Sequence, residues 1–360
     1  MSNMYPSKED PLFGVFIKNF ISSFESLGVN FTKKALIKGK TNSSIKKVFK
    51  YFNFYVKIIR FYLSKDYDLI YVHYISHNAP IIALMLFLFG KRKPIVINVH
   101  GSDIVKTEKS IFAPFIKYCL KRIDCLVVPS SYFKSVVLEL YPFFDSGKIE
   151  ISPSGGIDFK VFHTKEQKVS PQDVFHFGLV SRIDNNKGWD DFIFALYSLK
   201  EKGYRFKASI AGQGKEEFML IDEIKKRSLE DVVIFKGLIN QDKLIDLYND
   251  IDVLVFPTKL KEGLGLVGLE AMACSTPVIA SNSSGPATYV NDSVNGFLFE
   301  TGNVDELSFK MEKIIKLNKK ELLKMKINSL NEAEKYESKL VVKNLSDKMK
   351  KIKKAFKDAS

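Results

Sequence analysis

One stretch of the chain combines residue types and spacing that could do chemistry. From Pro257 it reads P-T-K-L-K-E-G-L-G-L-V-G-L-E-A-M-A-C-S-T-P-V-I-A. The apolar run Val253 to Phe256 suits a buried strand, which Pro257 ends. Glu262, Gly263 and Gly265 then form a loop, Leu266 to Ala273 suit a helix, and Pro277 stops it before a second apolar run, Val278 to Ala280. Strand, glycine loop, helix and strand make a parallel crossover whose loop lies at the carboxyl edge of a sheet. The helix start presents unpaired N–H groups and the positive end of a dipole, and both favour a phosphate. Gly263 and Gly265 let the backbone come close to it. Glu262 and Glu270 bracket the site, and phosphates repel carboxylates, so these two should reach for hydroxyls on either side, one on a ribose and one on a sugar. An ordinary loop with one solvated Glu and one Glu early in a helix has the same spacing.

Three further clusters fall at strand ends. The strand Val174 to Val180 runs into Ser181-Arg182-Ile183-Asp184-Asn185-Asn186-Lys187-Gly188, before a helix from Trp189. Two cations in a loop before a helix N-terminus make an anion site suited to a diphosphate. Phe206 to Ala211 is a strand that ends in Gly212-Gln213-Gly214. Pro94 to Val99 is a strand that ends in His100-Gly101-Ser102-Asp103, a polar cluster at the ligand edge of a parallel sheet. His73 and His77, near the end of the strand Asp68 to Tyr74, carry less specific signals. Gly14 opens a helix running to about Gly28.

The string E-G-L-G-L-V-G-L-E-A-M-A, with Glu262 and Glu270 separated by seven residues, resembles the signature of the retaining glycosyltransferases of family 4. The resemblance extends through T-P-V-I-A to N-G-F-L-F at Asn295 to Phe299, and P-S-G-G-I-D-F-K-V-F from Pro153 is similar to the family's hinge. It implies an α/β GT-B fold: two Rossmann-like domains with parallel sheets facing across a cleft, and a C-terminal helix crossing back to the first domain. The boundaries expected are 1–162 for an acceptor-binding domain, 163–335 for a nucleotide-sugar-binding domain and 336–360 for the returning helix. The resemblance further implies that Arg182 and Lys187 contact the donor's phosphates, that Glu262 holds hydroxyls of the donor sugar and Glu270 the ribose, and that His100 faces the donor sugar at the reaction centre. Gly14, Gly212, Gly263, Leu264, Gly265, Leu266 and Val267 would line the donor site. Arg182, Lys187 and the helix N–H groups would take the place of a metal, and no cofactor is expected beyond the nucleotide diphosphate sugar. Relatives often carry a Glu where Thr288 stands here, and the loop near Gly14 holds a single glycine.

The bulk properties agree with a globular two-domain enzyme. The chain has 360 residues, 46% of them hydrophobic, and its longest apolar run, Ala79 to Phe89, is 11 residues, too short to span a bilayer. Cys119, Cys125 and Cys274 lie in apolar segments without metal-binding spacing and read as core residues in a reducing compartment. The net charge is +14, unevenly placed: residues 1–165 carry 24 Lys and Arg against 12 Asp and Glu, and residues 166–360 carry 31 against 29. The first half therefore expects a polyanionic surface or partner. No nucleic-acid motif accompanies the charge, and nucleic acid is not expected.

The segment 45–63 has helical periodicity. Ile45, Val48, Phe49, Phe52, Tyr55, Val56, Ile59 and Tyr62 share one face, and Lys46, Lys50, Lys57 and Arg60 the other. Such a helix suits an anionic membrane surface, and it also suits a domain helix with its apolar face in the core. A lipid-linked glycan is the acceptor expected, with the enzyme cytoplasmic and peripheral on the inner face of the membrane. A soluble sugar acceptor and a non-catalytic nucleotide-sugar-binding scaffold are the alternatives. Finally, residues 1–8 read as the exit of a strand whose apolar body is lacking, so the first strand of the first domain is expected to be missing or makeshift.

Overall fold

The computed structural model describes residues 1–359 other than 12, 42, 65, 106, 108 and 166–173. The polar linker expected up to Asp173 runs largely through 166–173, outside the described residues. The chain divides into two compact units: Met1–Gly156 together with Lys339–Ser360, and Ile157–Ser338.

The first unit is built on a parallel sheet of six strands: β1 (Ser2–Tyr5), β2 (Leu36–Lys38), β3 (Ile70–His73), β4 (Ile95–Asn98), β5 (Cys125–Val128) and β6 (Ile149–Ile151). Their order is β2-β1-β3-β4-β5-β6. All four residues of β4 and of β5 are buried, because helices cover both faces of the sheet. Alternation divides them. Val96, Cys125 and Val127 meet Ile17 and Phe24 of the Val15–Glu25 helix and Val342 and Leu345 of the Ser338–Asp358 helix, so the last helix packs on this unit. Ile97, Leu126 and Val128 face the core on the other side. The three cysteines are free and buried.

The Ser44–Leu63 helix departs from the periodicity reading at one residue and decides which way the stripe faces. Its core contacts come from Phe54, Ile58 and Tyr62. The stripe from Ile45 through Val48, Phe49 and Phe52 to Val56 points away from the core, with Ile45 71% and Phe49 and Phe52 each 63% exposed. Tyr62, placed on that stripe from the sequence, belongs to the buried side. The Ile75–Phe89 helix is buried along most of its length, but Leu84, Phe87, Leu88 and Phe89 are exposed. Among the described residues, no helix is long and apolar enough to cross a membrane.

The second unit holds β7 (Phe175–Val180), β8 (Phe206–Ala211), β9 (Val233–Phe235), β10 (Val253–Phe256), β11 (Val278–Ser281) and β12 (Gly296–Phe299). The order β12-β11-β10-β7-β8-β9 is parallel throughout. The chain winds outward from β7 in one direction, then returns and winds outward from β10 in the other. β7 and β10 therefore form the switch point, where loops leaving two neighbouring carboxyl ends diverge and a ligand can sit between them.

Gly188 holds those two loops together. It precedes the Trp189–Glu201 helix with φ of 76°, and a methyl group there would run into the carbonyl of Pro257 at the end of β10. Both the left-handed backbone and the close approach require glycine. Gly188→Ala is expected to destabilise this unit by about 2–3 kcal/mol. Thermal unfolding would check it, because a melting temperature within a degree of wild type would mean the loops are free to part.

Candidate active site

The loop after β10 carries Glu262, and the loop after β7 carries Lys187. The structure brings them together: Lys187 Nζ lies 2.6 Å from Glu262 Oε1, with both side chains largely buried. Thr258 Oγ1 donates to the same carboxylate oxygen at 3.2 Å, and the Glu262 N–H donates to Ser284 Oγ at 3.0 Å. A charged hydrogen bond at this distance is among the stronger kinds, so each side chain fixes the other. A cation suited to a phosphate thus stands beside a carboxylate suited to sugar hydroxyls.

Gly263 follows in the loop. Leu264 is buried in the core, so its backbone alone is left to face a ligand. Gly265 caps the Leu266–Ala273 helix with φ of 82°, and Tyr289 donates its hydroxyl to the Gly265 carbonyl at 2.8 Å. The N–H groups of Leu266 and Val267, in the first turn, have no carbonyl four residues back inside the helix. The helix starts where the spacing predicts, with these N–H groups free of intrahelical partners.

Val267 also borders a cavity of about 650 Å³ at the carboxyl ends of β7 and β8, lined in addition by Arg182, Gly212, Gly214, Leu238 and Ile239. Its size is that of a small-molecule site. Arg182 is exposed and its Nη1 lies 2.8 Å from Asp184 Oδ2, while Asp184 Oδ1 accepts from the Lys215 N–H at 3.0 Å. One carboxylate therefore ties Arg182 to the glycine turn after β8. Gly212 adopts φ of 140°, and a side chain there would strike the Ser181 carbonyl. Leu238 and Ile239, which follow β9, were not singled out from the sequence. Their signal was their place just beyond a parallel strand.

Glu270 sits one turn into the helix and accepts a hydrogen bond from Tyr248 at 3.0 Å. Burial pushes its carboxyl up to about 7, and the Tyr248 hydrogen bond offsets part of that rise. Tyr248, fully buried, is a partner that nothing local to either residue signals.

In the first unit His100 follows β4. Its N–H donates to Asp103 Oδ1 at 2.8 Å, and its ring lies 4.5 Å from Tyr74 and 4.9 Å from Phe16. His100 Nε2 is 3.2 Å from His73 Nδ1, so the less specific histidine proves to be the partner of the more specific one. Desolvation lowers the His100 ring to about 4, which makes it a neutral imidazole near pH 7. His77 is elsewhere, against Tyr51 and Phe112. Gly14, with φ of 72°, caps the Val15–Glu25 helix against the backbone of Met4 and Tyr5. Thr288 donates to the Gly285 carbonyl at 2.6 Å.

A switch-point cavity, a helix start, two cations and two carboxylates thus lie together on the second unit, and comparison with known proteins gives the family. Residues 161–332 match the family model of glycosyl transferases group 1, and residues 30–158 match that of glycosyltransferase family 4. The chain is 30% identical over 274 residues to the capsular polysaccharide biosynthesis glycosyltransferase CapM of Staphylococcus aureus, covering 64% of this chain and 70% of that one. It is 30% identical over 267 residues to an uncharacterised glycosyltransferase of Methanocaldococcus jannaschii, covering 72% and 68%. Among solved structures it resembles sucrose-phosphate synthase from Thermosynechococcus elongatus, with a TM-score of 0.75, 17% identity and coverage of 95% and 93%. Anabaena HepE in complex with UDP gives a TM-score of 0.72 at 19% identity, covering 88% and 85%. The chain belongs to glycosyltransferase family 4 and has the GT-B fold; it is a glycosyltransferase that draws on a nucleotide sugar.

The raised carboxyl of Glu270 has a consequence for stability. An unfolded Glu titrates near 4.3, so between about pH 4.5 and 7 the folded chain binds more protons than the unfolded one. This group's contribution is greatest at low pH and falls as pH rises through 7. The melting temperature of wild type minus that of Glu270→Gln should therefore drop between pH 5 and 8. A difference that stays flat across that range would mean the carboxyl is ionised throughout.

Proposed function

We propose that this enzyme transfers a sugar, with retention of anomeric configuration, from a nucleoside diphosphate sugar to a hydroxyl of a lipid-linked glycan. It would work at the cytoplasmic face of a membrane, in the assembly of a surface polysaccharide. The observation that carries the chemical part is the Lys187–Glu262 contact beside the start of the Leu266–Ala273 helix. It sets a cation suited to a phosphate beside a carboxylate suited to sugar hydroxyls. The CapM name supports the polysaccharide.

In this reading the bond from the anomeric carbon to the phosphate oxygen breaks, and a bond to the acceptor oxygen forms on the same face. The acceptor's proton passes to the departing phosphate oxygen. Negative charge gathers on the diphosphate as the bond stretches. Lys187, Arg182 and the N–H groups of Leu266 and Val267 stabilise it where it develops. Glu262 orients the sugar through its hydroxyls. Glu270, part protonated near neutral pH, can donate as well as accept at the ribose. His100, neutral, contributes a hydrogen bond to the transferred sugar. Gly14, Gly212, Gly263, Leu264 and Gly265 serve through backbone close to the donor.

The membrane part rests on the Ser44–Leu63 helix. Its exposed stripe of Ile45, Val48, Phe49, Phe52 and Val56 is flanked by Lys46, Lys57 and Arg60, on the more basic of the two units. Apolar residues entering the acyl boundary with cations beside them suit an anionic bilayer, each cation adding roughly 1 kcal/mol. Phe87 and Leu88 of the neighbouring Ile75–Phe89 helix extend the apolar surface.

Initial rates over a range of donor concentrations, with UDP sugars screened first, test the chemistry. Lys187→Ala should lower kcat by about 10² or more, the range for losing one strong transition-state donor. Glu270→Gln should act chiefly on donor KM. Because Lys187 and Glu262 touch, the double variant should lose less than the sum of the singles, by roughly 0.5–3 kcal/mol. Donor binding without transfer to any acceptor would leave a scaffold, and additive losses would part the pair.

Liposome sedimentation tests the surface. Phe49→Ser with Phe52→Ser should release the protein from anionic vesicles while leaving its melting temperature unchanged, since neither side chain is in the core. Equal binding of variant and wild type would place the contact elsewhere.

A further inference from the structure

The loop after β11 lies along the loop that carries Glu262 and fits it at Glu262, Leu264 and Gly265. Ser284 Oγ accepts from the Glu262 N–H at 3.0 Å, and the Gly285 N–H donates to the Glu262 carbonyl at 3.0 Å. Gly285 lies so close to Leu264 that a methyl group there would strike its Cα and carbonyl oxygen. Pro286 borders Gly265. Tyr289, fully buried, then donates its hydroxyl to the Gly265 carbonyl at 2.8 Å.

The Leu266–Ala273 helix makes room for that last bond. Gly268 is its third residue, a place where glycine weakens a helix relative to alanine. Its own backbone is helical, which any residue adopts. A methyl group on it would run into the Tyr289 hydroxyl and crowd the ring carbons behind. The glycine therefore admits the phenol. Tyr289 is itself held in place: Asn295 Nδ2 donates to its carbonyl at 2.9 Å, and its ring lies edge-on to Tyr336 at 6.2 Å. Burial pushes the phenol well above its ordinary range, so the oxygen keeps its proton and stays a donor.

The Gly265 carbonyl and the Leu266 N–H belong to one peptide group. A hydrogen bond received at the oxygen draws electrons toward it and leaves the N–H more positive, by about 10–30% in bond strength. The same oxygen accepts from the Gly268 N–H at 3.1 Å, so the Tyr289 bond also fixes the plane of this peptide. We propose that Tyr289 is a positioning residue for the donor's diphosphate: through the Gly265–Leu266 peptide it aims and strengthens the Leu266 N–H, and Gly268 lets it in. This rests on the reading of the helix start as the diphosphate site. A ring wanted only to fill the core would be phenylalanine, which packs the same carbons and needs no space for an oxygen beside Gly268.

The test measures wild type, Tyr289→Phe and Gly268→Ala for affinity toward a nucleoside diphosphate, divided by affinity toward its nucleoside. The nucleotide is whichever of UDP, GDP and ADP wild type binds most tightly. The ratio separates the diphosphate contact from those of the base and ribose. It should fall by about threefold or more in both variants, the size of one ordinary hydrogen bond. The Leu266 amide proton, read by NMR, should move upfield in Tyr289→Phe, whose ring remains to give the same ring current. Where Gly268→Ala does not fold, adding Tyr289→Phe removes the oxygen it strikes, and this double variant should show the same lowered ratio. A wild-type ratio in the variants with an unmoved Leu266 proton would overturn the inference and leave the diphosphate reading standing. Wild type binding nucleoside and nucleoside diphosphate equally would overturn that reading, and the inference with it.

Discussion

The second unit depends on how closely the loops after β7 and β10 can approach. Gly188 has no side chain to hold off the Pro257 carbonyl, so the two loops meet directly at the switch point. The Lys259 N–H donates to the Asn186 carbonyl at 2.9 Å, and Lys259 Nζ reaches Asp190 and Asp191, each at 2.8 Å. These contacts fasten the far side of the same junction. Lys187 is the residue between them, and its ammonium is thereby delivered to Glu262. A lysine on a loose loop would lose much of its attraction for a phosphate in ordering its four-carbon stem. Held in advance, it would stabilise the charge of the proposed reaction without reorganising.

Much of this could be read from the chain because the punctuation is local. Pro257, Gly263, Gly265 and Pro277 mark loop, helix start and helix stop within one short stretch, and the apolar runs on either side have no polar residue to confuse them. The Leu266–Ala273 helix and β10 and β11 follow directly. The Tyr248–Glu270 bond and the His73–His100 bond could not be read in the same way, since each joins residues on different elements whose adjacency is a product of the sheet order. Leu238 and Ile239 reach the cavity only because β9 lies beyond β8, which periodicity does not report.

The Ser44–Leu63 helix could be read only in part, for another reason. It carries two apolar stripes on opposite faces. The fuller one runs from Ile45 to Val56, and the sparser one consists of Phe54, Ile58 and Tyr62. Periodicity finds the fuller stripe but cannot say whether it faces inward. Depth of packing decided it: three large side chains, each at most 2% exposed, suffice to anchor the helix on the core beneath. The fuller stripe is then surplus to folding.

That surplus is what gives the charge asymmetry a physical meaning. A basic surface alone is held to an anionic bilayer by long-range attraction that salt screens, and an apolar stripe alone gains only the area it can bury in the acyl boundary. Each signal is weak and reversible, and together they make an attachment that is both oriented and releasable. The proposed reaction needs both properties. The donor is a water-soluble nucleotide sugar whose spent diphosphate must leave, while the proposed acceptor stays in the bilayer. In the proposed reaction, a stripe and excess charge confined to the unit without the switch-point cavity would let that unit hold the membrane while the other exchanges its ligand with water.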